Sequence, residues 1–285
     1  MAKDAYFQHF VRHLFPYFYV KYQKLEANFD CVESFVAKAP LTENLFDIIT
    51  KAMFEVQDML IASWIENIDR ERQLMTSSAE NYIAHTILFC YAQQLVINDI
   101  YEKFIVMCAL ITVMGTHTYR VTGKKFYKLT PLILTEFFEG ALKVIFEIRG
   151  GWNRFERYIM RQDYVSYYET HSAFLTYKNE DIPEDIKEKM KAFVSRRRHF
   201  HLPIPNVEQG TKNVHIVKLT REVVKTLDES LVAELNSIIV SEMPSTSSLP
   251  ETSISSTLSE LTINEAATAE FNHPKASRDI DSDES

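Results

Sequence analysis

Gly150-Gly151-Trp152-Asn153-Arg154-Phe155 follows directly on a long apolar segment, and its reading decides the fold. Two adjacent glycines end a helix, because a residue without Cβ takes the left-handed C-terminal turn without a clash. Asn153 is placed to cap the next helix, with Glu156 three residues on completing a capping box. Trp152 and Phe155 are three apart and fall on one side, so they can wedge the new helix against the old one. The hexad reads as stop, wedge and restart.

The rest of the chain has the composition of packed helices. It holds 285 residues, 46% hydrophobic and 12% aromatic, with only 6 Gly and 9 Pro. Punctuation that sparse favours long helices over a turn-rich β fold. Before the hexad, Thr130-Pro131 reads as N-cap then N1 of a helix to about Arg149. Upstream of that, Asp99 with Glu102 reads as a capping box opening an apolar helix from Tyr101 to about Tyr119. The run Phe104 to Gly115 is too short to span a bilayer and suits a helix buried in a core. Phe104 to Ile148 is therefore expected to double back as two adjoining rods hidden from water.

Amphipathic helices surround this pair. One is expected from Asp4 to about Lys24, bent at Pro16, followed by a weaker segment at Phe29 to Ala37. Pro40 and Thr42 start a strong helix to about Arg70, and Ser77 with Glu80 caps another over Asn81 to Val96. Two shorter helices fit Asn153 to Tyr177. Beyond Lys178, Pro183-Glu184-Asp185 starts a charged helix ending in Arg196-Arg197-Arg198, and Leu202-Pro203-Ile204-Pro205 reads as extended. Asn213 to Leu219 alternates weakly, as a short strand does, and Thr220 is placed to cap a last helix to about Val240.

Charge divides the chain. The net charge is −8, and nine acids against Lys275 and Arg278 place most of it after residue 240. That Ser- and Thr-rich stretch buries too little apolar area to offset its ordering entropy, so 241–285 is expected to be a disordered acidic tail. The remainder has no bias that selects nucleic acid. Cys31, Cys90 and Cys108 sit in apolar surroundings without paired spacing and read as reduced packing residues. His9, Arg12, His13 and Pro16 interrupt the apolar first 20 residues, which therefore do not read as a signal peptide.

Chemistry is thin. His9 and His13 stand four apart, as zinc ligands can, but no acid or cysteine accompanies them locally, so no metal site is expected. Arg196-Arg197-Arg198 is preceded by Glu180, Asp181, Glu184, Asp185 and Glu188, which favours a self-neutralising helix over a phosphate site. No phosphate loop, nucleophile elbow or acid–base pair is nominated. The expectation is a protein that is not an enzyme and needs no cofactor.

One further pattern lies on the second helix. Ile49, Met53, Val56 and Leu60 follow a spacing of 4, 3 and 4, with Asp58 among them. Together with the apolar pair and the Gly-Gly-Trp turn, this order resembles the B-cell lymphoma-2 (Bcl-2) family of apoptosis regulators over roughly residues 4 to 177. Gly150, Gly151, Trp152, Asn153 and Phe155 match the family's second homology motif. Met53 stands at the leucine and Asp58 at the aspartate of the third, with Gln57 where a small residue is usual. Tyr101-Glu102-Lys103-Phe104 replaces the Asn-Trp-Gly-Arg signature of the first, so Phe104 holds the place of an arginine that pairs with the aspartate of a ligand helix.

The resemblance implies an all-α, Bcl-2-like helical bundle with a central hydrophobic helical hairpin at 1–178. A charged helical extension at 179–240 and the tail would follow. It implies a groove for amphipathic helices of apoptosis-regulating proteins, lined by Tyr91, Leu95, Phe104, Met107 and Ile111. Lys103 would offer the charge, and Trp152 would close the end by packing. It implies control of programmed cell death from the cytoplasm. The acidic ending gives no stable membrane anchor, leaving transient, peripheral contact with intracellular membranes. The alternative is an all-helical adaptor whose working surface is 179–240.

Overall fold

A computed structural model describes residues 4–22, 35–174, 177, 181–197, 200 and 212–241, with side chains as far as Leu231. Cys31, Leu202 to Pro205, most of Phe29 to Ala37 and the tail beyond Ser241 lie outside the described residues. The fold is all-α. The helices are α1 (Ala5–Lys21), α2 (Glu43–Met75), α3 (Ala79–Val96), α4 (Ile100–Thr122), α5 (Thr130–Phe137), α6 (Lys143–Ile148), α7 (Gly151–Ile159), α8 (Tyr164–Phe174), α9 (Glu184–Arg196) and α10 (Val214–Ser241). A 3-10 turn, Phe126–Leu129, leads into α5, and a π turn, Phe138–Leu142, joins α5 to α6. The chain divides into two units, Met1–Glu234 and Leu235–Ser285. Thus α9, and α10 as far as Glu234, belong to the same unit as the helices before them.

Side-chain caps set the starts of the first four helices. Asp4 accepts from the amides of Tyr6 and Phe7, Thr42 from Leu45, and Asp99 from Tyr101 and Glu102. Four expected caps are corrected. Ser78, not Ser77, caps α3 by accepting from the Asn81 amide. Thr130 does not cap α5; it is buried, and its hydroxyl accepts from the Tyr19 hydroxyl at 3.3 Å. Asn153 does not cap α7 either, because the helix starts two residues earlier, behind Gly150 with φ 105°. The weak strand at Asn213 to Leu219 is the first part of α10. There Asn213 Oδ1 accepts from the His215 and Ile216 amides, and Thr220 donates to the Ile216 carbonyl inside the helix.

The two expected rods lie side by side and antiparallel. At one end Thr130 and Tyr127 press on Gly115, where a Cβ would come within 2.9 Å of both. At the other, the Tyr101 hydroxyl donates to the Arg149 carbonyl at 2.8 Å. α4 is hidden from Phe104 to Met114. Its continuation to Thr122 makes it long and apolar enough to cross a membrane, beyond the short run expected, yet 78% of its most apolar window is buried among its neighbours. The second rod is hidden only in its first half, as Ile145 and Ile148 on α6 are 51% and 78% exposed.

The wedge holds. Trp152 and Phe155 are buried, and Trp152 packs against Phe7, Phe10, Phe104 and Phe146 with ring centroids 5.3–6.5 Å apart. Phe7 also stacks on Phe138 at 3.9 Å, clamping α1 onto the π turn. Each such ring buries enough apolar surface to contribute about 2–3 kcal/mol.

Candidate functional site

The start of α4 is where a polar cluster enters an otherwise apolar core. Asp99 accepts from the amides of Tyr101 and Glu102, and the Glu102 side chain, instead of reaching back to the Asp99 amide as in a capping box, turns inward. Its Oε1 accepts from the Tyr158 hydroxyl at 2.9 Å and its Oε2 from the Tyr164 hydroxyl at 2.6 Å. Tyr158 comes from α7 and Tyr164 opens α8, so the Gly-Gly-Trp corner and the helix after it are both tied to α4. Burial pushes the Glu102 carboxyl above the usual carboxylate range, against the pull of both hydroxyls and of Arg197. Burial, reinforced by the Glu102 charge, pushes both phenols up.

Arg197, just past the end of α9, completes the cluster. Its Nε donates to the Tyr164 hydroxyl at 3.3 Å and its Nη2 to Asp163 Oδ1 at 2.9 Å, while Arg196 pairs with the other Asp163 oxygen. The Arg197 guanidinium lies 4.5 Å from the Tyr164 ring centre and 4.1 Å from that of Phe193. One turn on, the Phe200 carbonyl accepts from Gln93 Nε2 at 2.6 Å, and Gln93 Oε1 accepts from Trp64 Nε1 at 3.1 Å. The end of α3, the start of α4, the corner between α7 and α8 and the end of α9 therefore meet at one mouth. A hollow of 490 Å³ opens there, between Ile97, Asp99, Glu102, Arg161 and Arg197.

The expected groove residues do not gather at this mouth. Phe104, Met107 and Ile111 have no exposed surface, Tyr91 and Lys103 are half-buried, and Leu95 is 83% exposed. As α4 is covered on every side there, the first three line core and not an open trench. Trp152 closes no groove end; it fills the aromatic cluster under α1. On α2 the apolar stripe Ile49, Met53, Val56 and Leu60 is wholly buried, and Gln57 among them donates to the Ala109 carbonyl of α4 at 3.1 Å. Asp58 stays half-exposed and faces His171 Nε2 of α8 at 3.6 Å. His171 Nδ1 in turn meets the buried Glu55 Oε2 at 2.9 Å. That bond raises His171 above the usual imidazole range, and burial raises Glu55, so the pair retains a proton to higher pH.

A second, drier hollow of 240 Å³ separates α3 from α10, walled by Ala84, His85, Leu88, Ile216, Thr220 and Val224. Among the described residues no group of three or more His, Cys, Asp or Glu side chains could hold a metal ion. His9 and His13 touch edge to face instead, with His9 Nε2 2.8 Å from the Val36 carbonyl. Cys90 and Cys108 are free and buried, and burial raises both thiols.

Sequence reasoning missed Glu102 by assigning it to a cap, and Arg197 by assigning the arginine run to solvent. One signal was there to find. Ile186, Met190, Phe193 and Arg197 repeat the 4, 3, 4 spacing of the α2 stripe, and the last place holds a cation. No family model, curated protein or solved structure matches the chain.

Proposed function

We propose that the chain is a helix-binding regulator of programmed cell death of the Bcl-2 kind, acting as the receiver of an amphipathic helix. The observation that carries this reading is the order of parts. A buried helix and its antiparallel partner are closed by the Gly150-Gly151-Trp152 corner, and a polar mouth sits where the buried helix begins. The α2 stripe supports the receiver role over the donor role. Presenting Ile49, Met53, Val56 and Leu60 to a partner would uncover four side chains that are wholly buried, at about 1.5–3 kcal/mol each. The receiving face in this reading takes in the end of α3, which carries exposed Leu95, and the first turn of α4, which carries half-buried Lys103.

The test is a titration of labelled amphipathic helices from apoptosis-regulating proteins onto the full chain. Binding at micromolar strength, weakened about tenfold by Leu95→Glu or Lys103→Glu, supports the reading. Both positions reach solvent, so neither substitution has to disturb the core. Absence of binding across a broad panel overturns it. The all-helical adaptor without an apoptotic role then takes its place, a reading favoured by the closure of Phe104, Met107 and Ile111.

A further inference from the structure

We infer that the acidic, aromatic shelf formed by Asp163, Tyr164, Tyr167 and Glu102 is a receptor for a guanidinium carried on an amphipathic helix, with α9 as its resident occupant. The inference deepens the receiver reading and rests on it, because it names the chemistry of the helix that the mouth selects.

The seating of α9 shows what the shelf takes. Ile186, Met190, Phe193 and Arg197 fall at i, i+4, i+7 and i+11, one face of a helix. The first two are half-buried, whereas Phe193 and Arg197 are 1% and 5% exposed. Phe193 stacks on Tyr167 at 3.7 Å with an interplanar angle of 8°. On the exposed side Lys189 and Lys191 pair with Asp185, Glu184 and Glu188 of α9 itself, and half-buried Lys187 pairs with Glu184. Those exposed pairs contribute little to docking. The anchor is thus the Phe193 ring and the Arg197 guanidinium at the C-terminal end, with Arg196 on the other oxygen of Asp163, and a hollow of 380 Å³ opens beside Tyr167, Phe193 and Arg196.

The geometry calls for arginine in particular. A planar fork can donate to the Tyr164 hydroxyl and to Asp163 at once while its carbon sits 4.5 and 4.1 Å from the centres of two rings. A lysine ammonium offers a single point charge and no flat face. Polarity is therefore reversed relative to a receptor that meets a ligand carboxylate with its own arginine. Here the receiver supplies the carboxylates and the helix supplies the guanidinium. A helix bearing an acid at that place would face the like charge of Asp163 and Glu102.

Being tethered, α9 competes at an effective concentration of order millimolar, so an outside helix has to match its chemistry to displace it. The test uses the full chain and two labelled peptides. One spans residues 183–200, and the other is its twin with Arg197→Glu. Binding is read by fluorescence anisotropy, and release of α9 by hydrogen exchange of amides 184–197. In a chain carrying Phe193→Ala, which cuts the resident anchor, the arginine peptide is expected to bind on the order of 100-fold more tightly than in the unaltered chain. The Arg197→Glu peptide should bind at least about tenfold more weakly than its parent, and Asp163→Arg in the chain should reverse that order. Should Phe193→Ala fail to fold by circular dichroism, Arg197→Ala, which removes the cation of the resident anchor, serves the same purpose. Equal binding of both peptides, or binding of neither, overturns the inference. Acid-bearing helices that bind while the arginine peptide does not would leave the receiver reading standing and remove this one.

Discussion

Two helices of this protein carry apolar stripes with one spacing and opposite fates. On α2, Ile49, Met53, Val56 and Leu60 vanish into the core, and their neighbour Gln57 bonds the backbone of α4. On α9, Ile186 and Met190 stay half in water, and only Phe193 and Arg197 are gripped. The difference is one of partners and not of pattern. The α2 stripe meets α4, which is apolar on every side, so each of its side chains finds an apolar neighbour. The α9 stripe meets α8, which offers Tyr164, Tyr167 and, at its head, Asp163, so its last place is worth most to a cation. Spacing says where a face lies; the surface it meets decides whether that face is core or ligand.

The largest test of this contrast is a matched pair of truncations. Leu60→Ala should cost about 3–5 kcal/mol in denaturant unfolding, because it leaves a cavity in a fully packed site. Met190→Ala should cost about 1 kcal/mol or less globally and show chiefly as faster amide exchange within 184–197. Equal losses would mean that α9 is as integral to the core as α2, and the distinction between the stripes would collapse.

A smaller test concerns α10, a third helix seated on the bundle. Leu219 rests on Gly140 in the π turn, where an added Cβ would come within 2.4 Å of its Cδ2. Gly140→Ala should therefore cost about 2 kcal/mol by overpacking and loosen amides 214–224 while leaving α9 unchanged. Adding Leu219→Ala should recover part of the loss, since it removes the colliding atom. If α9 loosened as well, the two helices would form one coupled lid and could not be compared separately.

The all-α class, the Trp152 wedge and the buried α4 were legible because each rests on local chemistry. Sparse glycine and proline, a left-handed corner and an unbroken apolar run need no knowledge of the tertiary fold. The mouth was not legible, for a physical reason. Glu102 sits three residues after a capping Asp99, where a capping box would turn it back to the Asp99 amide, and sequence spacing alone cannot show that the Tyr158 and Tyr164 hydroxyls hold the carboxylate inward instead. Arg197 sits among basic neighbours, and only the arrival of Tyr164 and Asp163 separates it from a solvated run. The expected groove failed likewise at Met107 and Ile111, because a helix apolar all round gives no sign of which face its neighbours leave open. Asn213 to Leu219 misled through a two-residue alternation too short to outweigh the cap that Asn213 provides.

The smallest effect tests whether α2 is held to α8 as firmly as it is to α4. The hold on α4 is mostly apolar, with Gln57 on the Ala109 carbonyl and a half-exposed contact of His117 with Asp69 at 2.9 Å, whereas the hold on α8 runs through His171 and the buried Glu55, with half-exposed Asp58 on the other side of the ring. Both shifts are upward, so both have the same sign. The folded state favours the protonated imidazole more than the unfolded chain does, and its contribution is complete below the ordinary imidazole value of about 6.5. It is lost as pH rises through the elevated folded value. The folded state also favours a protonated Glu55, so stability from that side declines once pH passes the ordinary carboxylate value of about 4.3. Melting temperature is therefore expected to fall from pH 5 to pH 8, by the equivalent of about 1 kcal/mol, the worth of one hydrogen bond. His171→Gln should flatten the upper part of that slope while leaving the cost of Leu60→Ala unchanged. A slope that survives the substitution would assign the pH dependence to another group, and α8 would then be joined to α2 by packing alone.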